Sequence, residues 1–248
     1  MLLGTGFLEA HMYPTEPTEH RLTRRGARRL LAAGMLSLAA LALTVPARAD
    51  AASFLGAQTR APGERAMYAT LGIPDAELGA TFGLNSLTDV TPRLRLQYGR
   101  GTELGGAGLA VGAGVRFQVA RLAGWTIALT AEPEVSLHVG ARNSPMVVSG
   151  SSANTLAFGV GVPGVVADRA LNHGVRFIAG VRAPITVYAL PGWTLNVAVF
   201  GQVGAEFLLG DDLVMLALVD VGADLYGPGA ATGSALFFRS RVGLGWLF

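Results

Sequence analysis

Between Trp125 and Val139 every second residue is apolar: Trp125, Ile127, Leu129, Ala131, Pro133, Val135, Leu137 and Val139. Thr126, Ala128, Thr130, Glu132, Glu134, Ser136 and His138 lie between them. A helix would scatter these two sets around its circumference, whereas a strand sends them to opposite faces. The same division runs through Leu109, Val111, Ala113, Val115, Phe117 and Val119 against Gly112, Gly114, Arg116 and Gln118. It returns at Val175, Phe177, Ala179, Val181, Ala183, Ile185 and Val187 against Arg176, Gly180, Arg182, Thr186 and Tyr188.

Turn-forming clusters divide the rest: 73–77 (IPDAE), 85–89 (NSLTD), 99–106, 122–124 (LAG), 140–154, 168–174 (DRALNHG), 190–192 (LPG), 210–212 (GDD) and 227–233. Nine connections join ten strands, expected at 65–73, 77–85, 91–99, 107–121, 125–139, 155–167, 174–189, 193–209, 213–226 and 234–248. Within 155–167 the run GVPGVV breaks the alternation and predicts a bulge.

The N-terminal region reads differently. RLTRRGARRLLAAGMLSLAALALTVPARA combines an arginine-rich start, an apolar run from Leu30 to Val45 and the pattern Ala47-Arg48-Ala49, as a secretory signal cleaved after Ala49 would. An uncleaved N-terminal anchor is the competing reading. Residues 1–49 are thus expected to be an extension plus signal peptide, 50–64 an N-terminal tail in the periplasm, and 65–248 the folded unit. The segment 50–63 could be a loose tail or fold up as a small stopper.

Removing the leader changes the electrostatic picture. The whole chain carries +2, but from Asp50 onward thirteen arginines face fourteen acids, a formal charge of −1. No basic patch with interleaved aromatics survives to suggest nucleic acid. Without cysteine, and with only His138 and His173 after the leader, the chain has no disulfide framework or thiolate site and too few histidines for a zinc constellation, so neither metal nor cofactor is expected.

After Ala49 the longest apolar run, Leu213 to Val219, is seven residues, too short to cross a bilayer as a helix. Strands can cross instead. A soluble sandwich also alternates, but its wet face calls for long polar side chains. Here that face is rich in glycine, including Gly79, Gly83, Gly112, Gly114, Gly243 and Gly245. Inside a narrow barrel such residues leave room for long arginines or for covering rings. Several segments run well past the ~9–11 residues a spanning strand needs and the ~5–6 typical of soluble sheets. Counted from a periplasmic N-terminus, the roomy connections at 99–106, 140–154 and 227–233 are all external, and the three-residue turns at 122–124 and 210–212 are periplasmic. Phe117, Trp125, Phe177, Phe207, Trp246 and Phe248 would form one aromatic girdle; Tyr98, Trp193 and Phe238 belong to the other. The expectation is an all-β, transmembrane, antiparallel up-and-down barrel of about ten strands, with eight or twelve as the neighbouring counts.

The chain closes on FFRSRVGLGWLF, in which Val242, Leu244, Trp246 and Phe248 share one apolar face. With the export signal and the alternating strands, this ending resembles the small outer-membrane β-barrel proteins of bacteria with two membranes. The resemblance implies that those four residues are the signal read by the barrel-assembly machinery. It further implies outer-membrane lipids and lipopolysaccharide as surroundings, and leaves oligomeric state and activity open.

The inward face would carry Arg93, Arg95, Arg116, Glu132, Glu134, Arg176, Arg182, Glu206, Asp220, Asp224, Arg239 and Arg241. Asp220 and Asp224 are expected to face Arg239 and Arg241, and Glu132 and Glu134 to lie beside Arg116. Lone buried charges are costly, so a paired network filling the lumen is the first reading. It suits a structural, adhesive or binding barrel, not an enzyme. A narrow porin-like passage for small solutes is the alternative. Glu134, Ser136 and His138 share a strand face and raise a third possibility, a lipid-ester hydrolase, although i, i+2 neighbours are poorly placed for a relay.

Overall fold

The computed structural model describes residues 52–98, 107–141, 153–189, 193–229 and 233–248. The leader, 1–49, and the connections at 99–106, 142–152, 190–192 and 230–232 lie outside the described residues. Eleven strands follow in order: β1 Arg65–Ile73, β2 Asp75–Asn85, β3 Thr88–Gln97, β4 Ala107–Leu122, β5 Trp125–Ala141 and β6 Ala153–Ala170. They continue with β7 Val175–Arg182, β8 Pro184–Tyr188, β9 Thr194–Leu208, β10 Leu213–Gly229 and β11 Gly233–Leu247.

Strands pair antiparallel in chain order, with β7 and β8 each lying between β6 and β9, and β11 pairs with β1, so the sheet closes on itself. The strand expected at 174–189 is divided into β7 and β8. Pro184 has no N–H to give to the ladder, and the break falls at Ala183 immediately before it. β7 pairs with the second half of β6 and β8 with the first, so together they make one stave, and the ring has ten. The bulge anticipated in β6 appears in the register: Thr130 and Glu132 of β5 oppose Gly164 and Gly161, leaving an extra residue on β6.

The tight ends are explained by their residues. Ala123-Gly124 links β4 to β5 with φ of 50° and 80°, the two positive values a two-residue primed hairpin requires. At the opposite end only Pro74 separates β1 from β2. Five connections lie at the end that holds the long segments 98–106 and 142–152; four short turns and both barrel termini lie at the other. We call these the loop end and the turn end.

The wall is apolar outside. Leu71, Leu94, Val111, Val203, Val221 and Val242, each from a different strand, all point outward and are about half exposed. Inside are buried Thr70, Glu77, Asp89, Arg116, Gln202 and Asp220. A soluble core has the reverse arrangement, so this exterior is built for hydrocarbon. The fold is a transmembrane antiparallel barrel. Near the turn end the Trp125 and Phe177 rings meet edge to face with centroids 6.1 Å apart. Val242, Leu244, Trp246 and Phe248 are all exposed on the outer surface.

Glycines make the crowded interior possible. A Cβ on Gly79 would lie 2.4 Å from the ring of Tyr68, its partner on β1, and one on Gly245 would lie 2.6 Å from the ring of Phe54. Both sites are flat seats for an aromatic ring.

Candidate functional site in the barrel lumen

Three layers fill the lumen. The middle one is a network of ten charged groups from six strands. Arg93 of β3 meets Glu132 of β5 at 2.7 Å and Glu134 at 3.5 Å, and Arg182 of β7 meets the other oxygen of Glu132 at 2.7 Å. Arg95 pairs with Glu134 and, at 3.7 Å, with Asp75 of β2. Arg239 of β11 joins Asp75 at 3.4 Å and Asp220 of β10 at 2.6 Å. Arg241 joins Asp220 at 3.6 Å and Glu77 at 3.2 Å, and Glu77 accepts a 2.6 Å hydrogen bond from the Tyr68 hydroxyl.

Five arginines and five carboxylates make this network neutral, and each charge has a partner, as burial demands. Its reach depends on β4. Gly112 stands in register between Arg93 and Glu134, so no side chain blocks the bridge between β3 and β5.

The layer at the turn end is made by the segment before the barrel. Residues 52–60 cross the mouth as a strap, and three walls hold it. Glu206 of β9 accepts hydrogen bonds through Oε1 from the Ser53 hydroxyl at 2.8 Å and from the amides of Phe54 and Leu55 at 2.9 and 2.7 Å. Asp168 of β6 accepts the amides of Ala57 and Gln58 at 2.6 and 2.8 Å. Asp89 of β3 accepts the Arg60 amide at 3.4 Å and pairs with Arg116, which donates to the carbonyls of Ser53 and Gly56.

Phe54 packs among Ala66, Tyr68, Val214 and Leu216, with the Arg60 guanidinium 4.5 Å from its ring centroid. Burial, and next the nearby Arg116, pull the Arg60 guanidinium down to about 10, leaving it charged at neutral pH. Of the two forms open to this segment, a loose tail or a stopper, residues 52–60 have the contacts of a stopper. Arg176 also belongs to this layer, 3.6 Å from Asp168.

The third layer, at the loop end, is a cavity of about 170 Å³. Pro74, Gln97, His138 and Tyr188 line it near their strand ends, with Ser136, Thr186, Asn196, Ala198, Phe200 and Asp224 below. Arg93 and Glu132 close its floor and also border a second cavity of about 50 Å³, which the strap residues Phe54, Leu55 and Gly56 bound below.

All twelve expected charges therefore sit inside the wall, but they divide among layers. Two expected pairings are corrected. Glu132 and Glu134 bind Arg93, Arg95 and Arg182 rather than Arg116, because Arg116 stands opposite Asp89 and near the turn end. Asp224 makes no ion pair with Arg239 or Arg241. Arg239 is opposite Asp220 in register, and Asp224 lies four residues further toward the loop end. Four acids went unrecognised because each stands in a stretch that reads as a turn: Asp75 and Glu77 in IPDAE, Asp89 in NSLTD and Asp168 in DRALNHG. Parity was the available signal, since Asp75 and Glu77 continue the inward series of Gly79 and Gly83. Ser136 and His138 are buried side by side on β5, but no hydrogen bond joins them, and Glu134 is held by Arg95 and Arg93.

No protein-family model and no curated protein matches the chain. Among the solved structures it is similar to is a chain described as "KdgM porin in complex with disordered oligogalacturonate", at 10% identity and a TM-score of 0.31, covering 75% of this chain and 99% of that one. A likeness so distant carries no inference about ligand or transport. What this barrel does must be read from its own lumen.

Proposed function

We propose that this is an outer-membrane barrel closed to through-flow, whose working surface is the cavity at the loop end, giving it a structural or binding role. One observation carries the reading: Arg93 and Glu132 form both the floor of the outer cavity and the roof of the inner one, 2.7 Å apart. The strap adds a second closure at the turn end. A loop end facing the outside of the cell agrees with the short connections at the opposite end. The outward placement of Val242, Leu244, Trp246 and Phe248 supports the final strand as the part recognised during assembly, with lipopolysaccharide and lipid around the finished barrel.

The test is planar-bilayer recording on folded, purified protein. Wild type is expected to give no stepwise conductance. The combined change Arg93→Ala, Glu132→Ala and deletion of 52–60 should open a measurable one. Steady ion-selective steps from wild type would overturn the closed-lumen reading. They would favour a narrow porin-like passage, for which the succession of cavities of about 170, 50 and 30 Å³ from loop end to turn end is the supporting observation.

A further inference from the structure

Asp224 is the exception among the described lumen carboxylates. It is 3% exposed, yet among the described residues no cation or N–H bonds it, and its Oδ2 has no hydrogen-bond partner. The ten-group network beside it is already neutral, so among the described residues, with His138 counted neutral, Asp224 adds one uncompensated negative charge to the wall of the 170 Å³ cavity. A buried carboxylate without a counter-charge is costly, and the group that would relieve the cost is a cation entering from the cavity.

The surroundings narrow the choice. No set of three or more His, Cys, Asp or Glu side chains among the described residues is placed to hold a metal ion. Asn196 of β9, 4% exposed, also faces the cavity with its Nδ2 unpartnered. Asp224 stands opposite Ala198, two residues along from Asn196, and Asn196 stands opposite Thr186 of β8. Carboxylate and amide thus lie on adjacent strands within diagonal-neighbour reach, roughly 7–8 Å, and the Thr186 hydroxyl lies on the next strand beside the amide. A turn of the Asn196 amide about its last bond presents Oδ1 in place of Nδ2, giving a second acceptor beside Asp224. Ala198 and Phe200 supply an apolar wall between these groups and the network.

We infer that the loop-end cavity is a binding site for a small primary ammonium compound, its nitrogen on Asp224 and Asn196 and its short alkyl part against Ala198 and Phe200. Three N–H donors match the cluster of acceptors, which a quaternary ammonium would leave unbonded. The inference rests on the cavity being the working surface, but the two fail separately. A wild-type barrel that conducts yet binds ammonium at Asp224 refutes the closed lumen alone; a silent barrel without such binding refutes this site alone.

The experiment is calorimetric titration of the full chain, folded in detergent and checked by the mobility difference between boiled and unboiled samples. Propylammonium chloride is the probe, 1-propanol its neutral counterpart and tetramethylammonium chloride its counterpart without N–H. Saturable one-site binding of propylammonium is expected, at least tenfold tighter than either counterpart. Asp224→Asn should weaken it at least tenfold and Asn196→Ala less, while Asp211→Asn, on the β9–β10 turn, leaves it unchanged. The site is refuted if folded wild type binds no propylammonium, if either counterpart binds as well, or if Asp224→Asn binds like wild type. The comparison among the three probes needs no variant, so it stands even where Asp224→Asn does not fold.

Discussion

The buried carboxylates at the two ends of the lumen reach opposite outcomes. At the turn end, Glu206 and Asp168 are buried carboxylates saturated by amides of the strap, and Arg116 spends its donors on Asp89 and two strap carbonyls. At the loop end, Asp224 and Asn196 are just as buried and have unpartnered atoms. The difference lies in what faces each group. A piece of the chain's own backbone occupies one mouth with its N–H and C=O groups, whereas a cavity faces the polar atoms at the other. Saturated polar layers stabilise a fold; unsaturated ones keep binding capacity at a cost in stability.

Urea unfolding of the folded barrel in lipid can break or sharpen this contrast. Arg116→Ala should have the largest effect, a loss of about 3–5 kcal/mol, because it strands Asp89 in the interior along with two strap carbonyls. Asp224→Asn should act in the other direction, raising stability by about 1–3 kcal/mol as an unpaired charge is removed. If both substitutions destabilise equally, the two ends do not differ as described. Gly245→Ala pushes a methyl group into the Phe54 ring and should cost about 1–3 kcal/mol, with the strap becoming more accessible to protease. Ser53→Ala, which loses one hydrogen bond to Glu206 and one from the Gly56 amide, should cost least, about 1 kcal/mol.

Much of the wall was readable in the residues, because each strand's two faces meet two different media and the chain must alternate accordingly. Trp125 to Val139 is the clearest case, and β5 indeed runs from Trp125 to Ala141. The misreadings fall where one residue type serves two purposes. Pro74 and Asp75 have the chemistry of a loop, but the connection is the single residue Pro74, and Asp75 is already inside the barrel bound to Arg239. The strand expected at 174–189 runs through Pro184, which instead divides it. The sequence left 50–63 open between a loose tail and a stopper because ASFLGAQTR has no periodicity and its contacts are made chiefly by backbone amides, which every residue possesses.

Sequence alone determined which side chains face out, roughly where the chain turns and that charges would occupy the centre, since a period of two is a local property of the strand. Only the tertiary structure decided which arginine meets which acid, that residues 52–60 seal one mouth, and that Asp224 stands apart. Those outcomes depend on strands two staves apart coming within a side chain's length, as in Arg93–Glu132, Arg182–Glu132 and Arg241–Glu77, and on the strap reaching β3, β6 and β9 together. Closure of the ring sets that distance, and no neighbouring residues encode it.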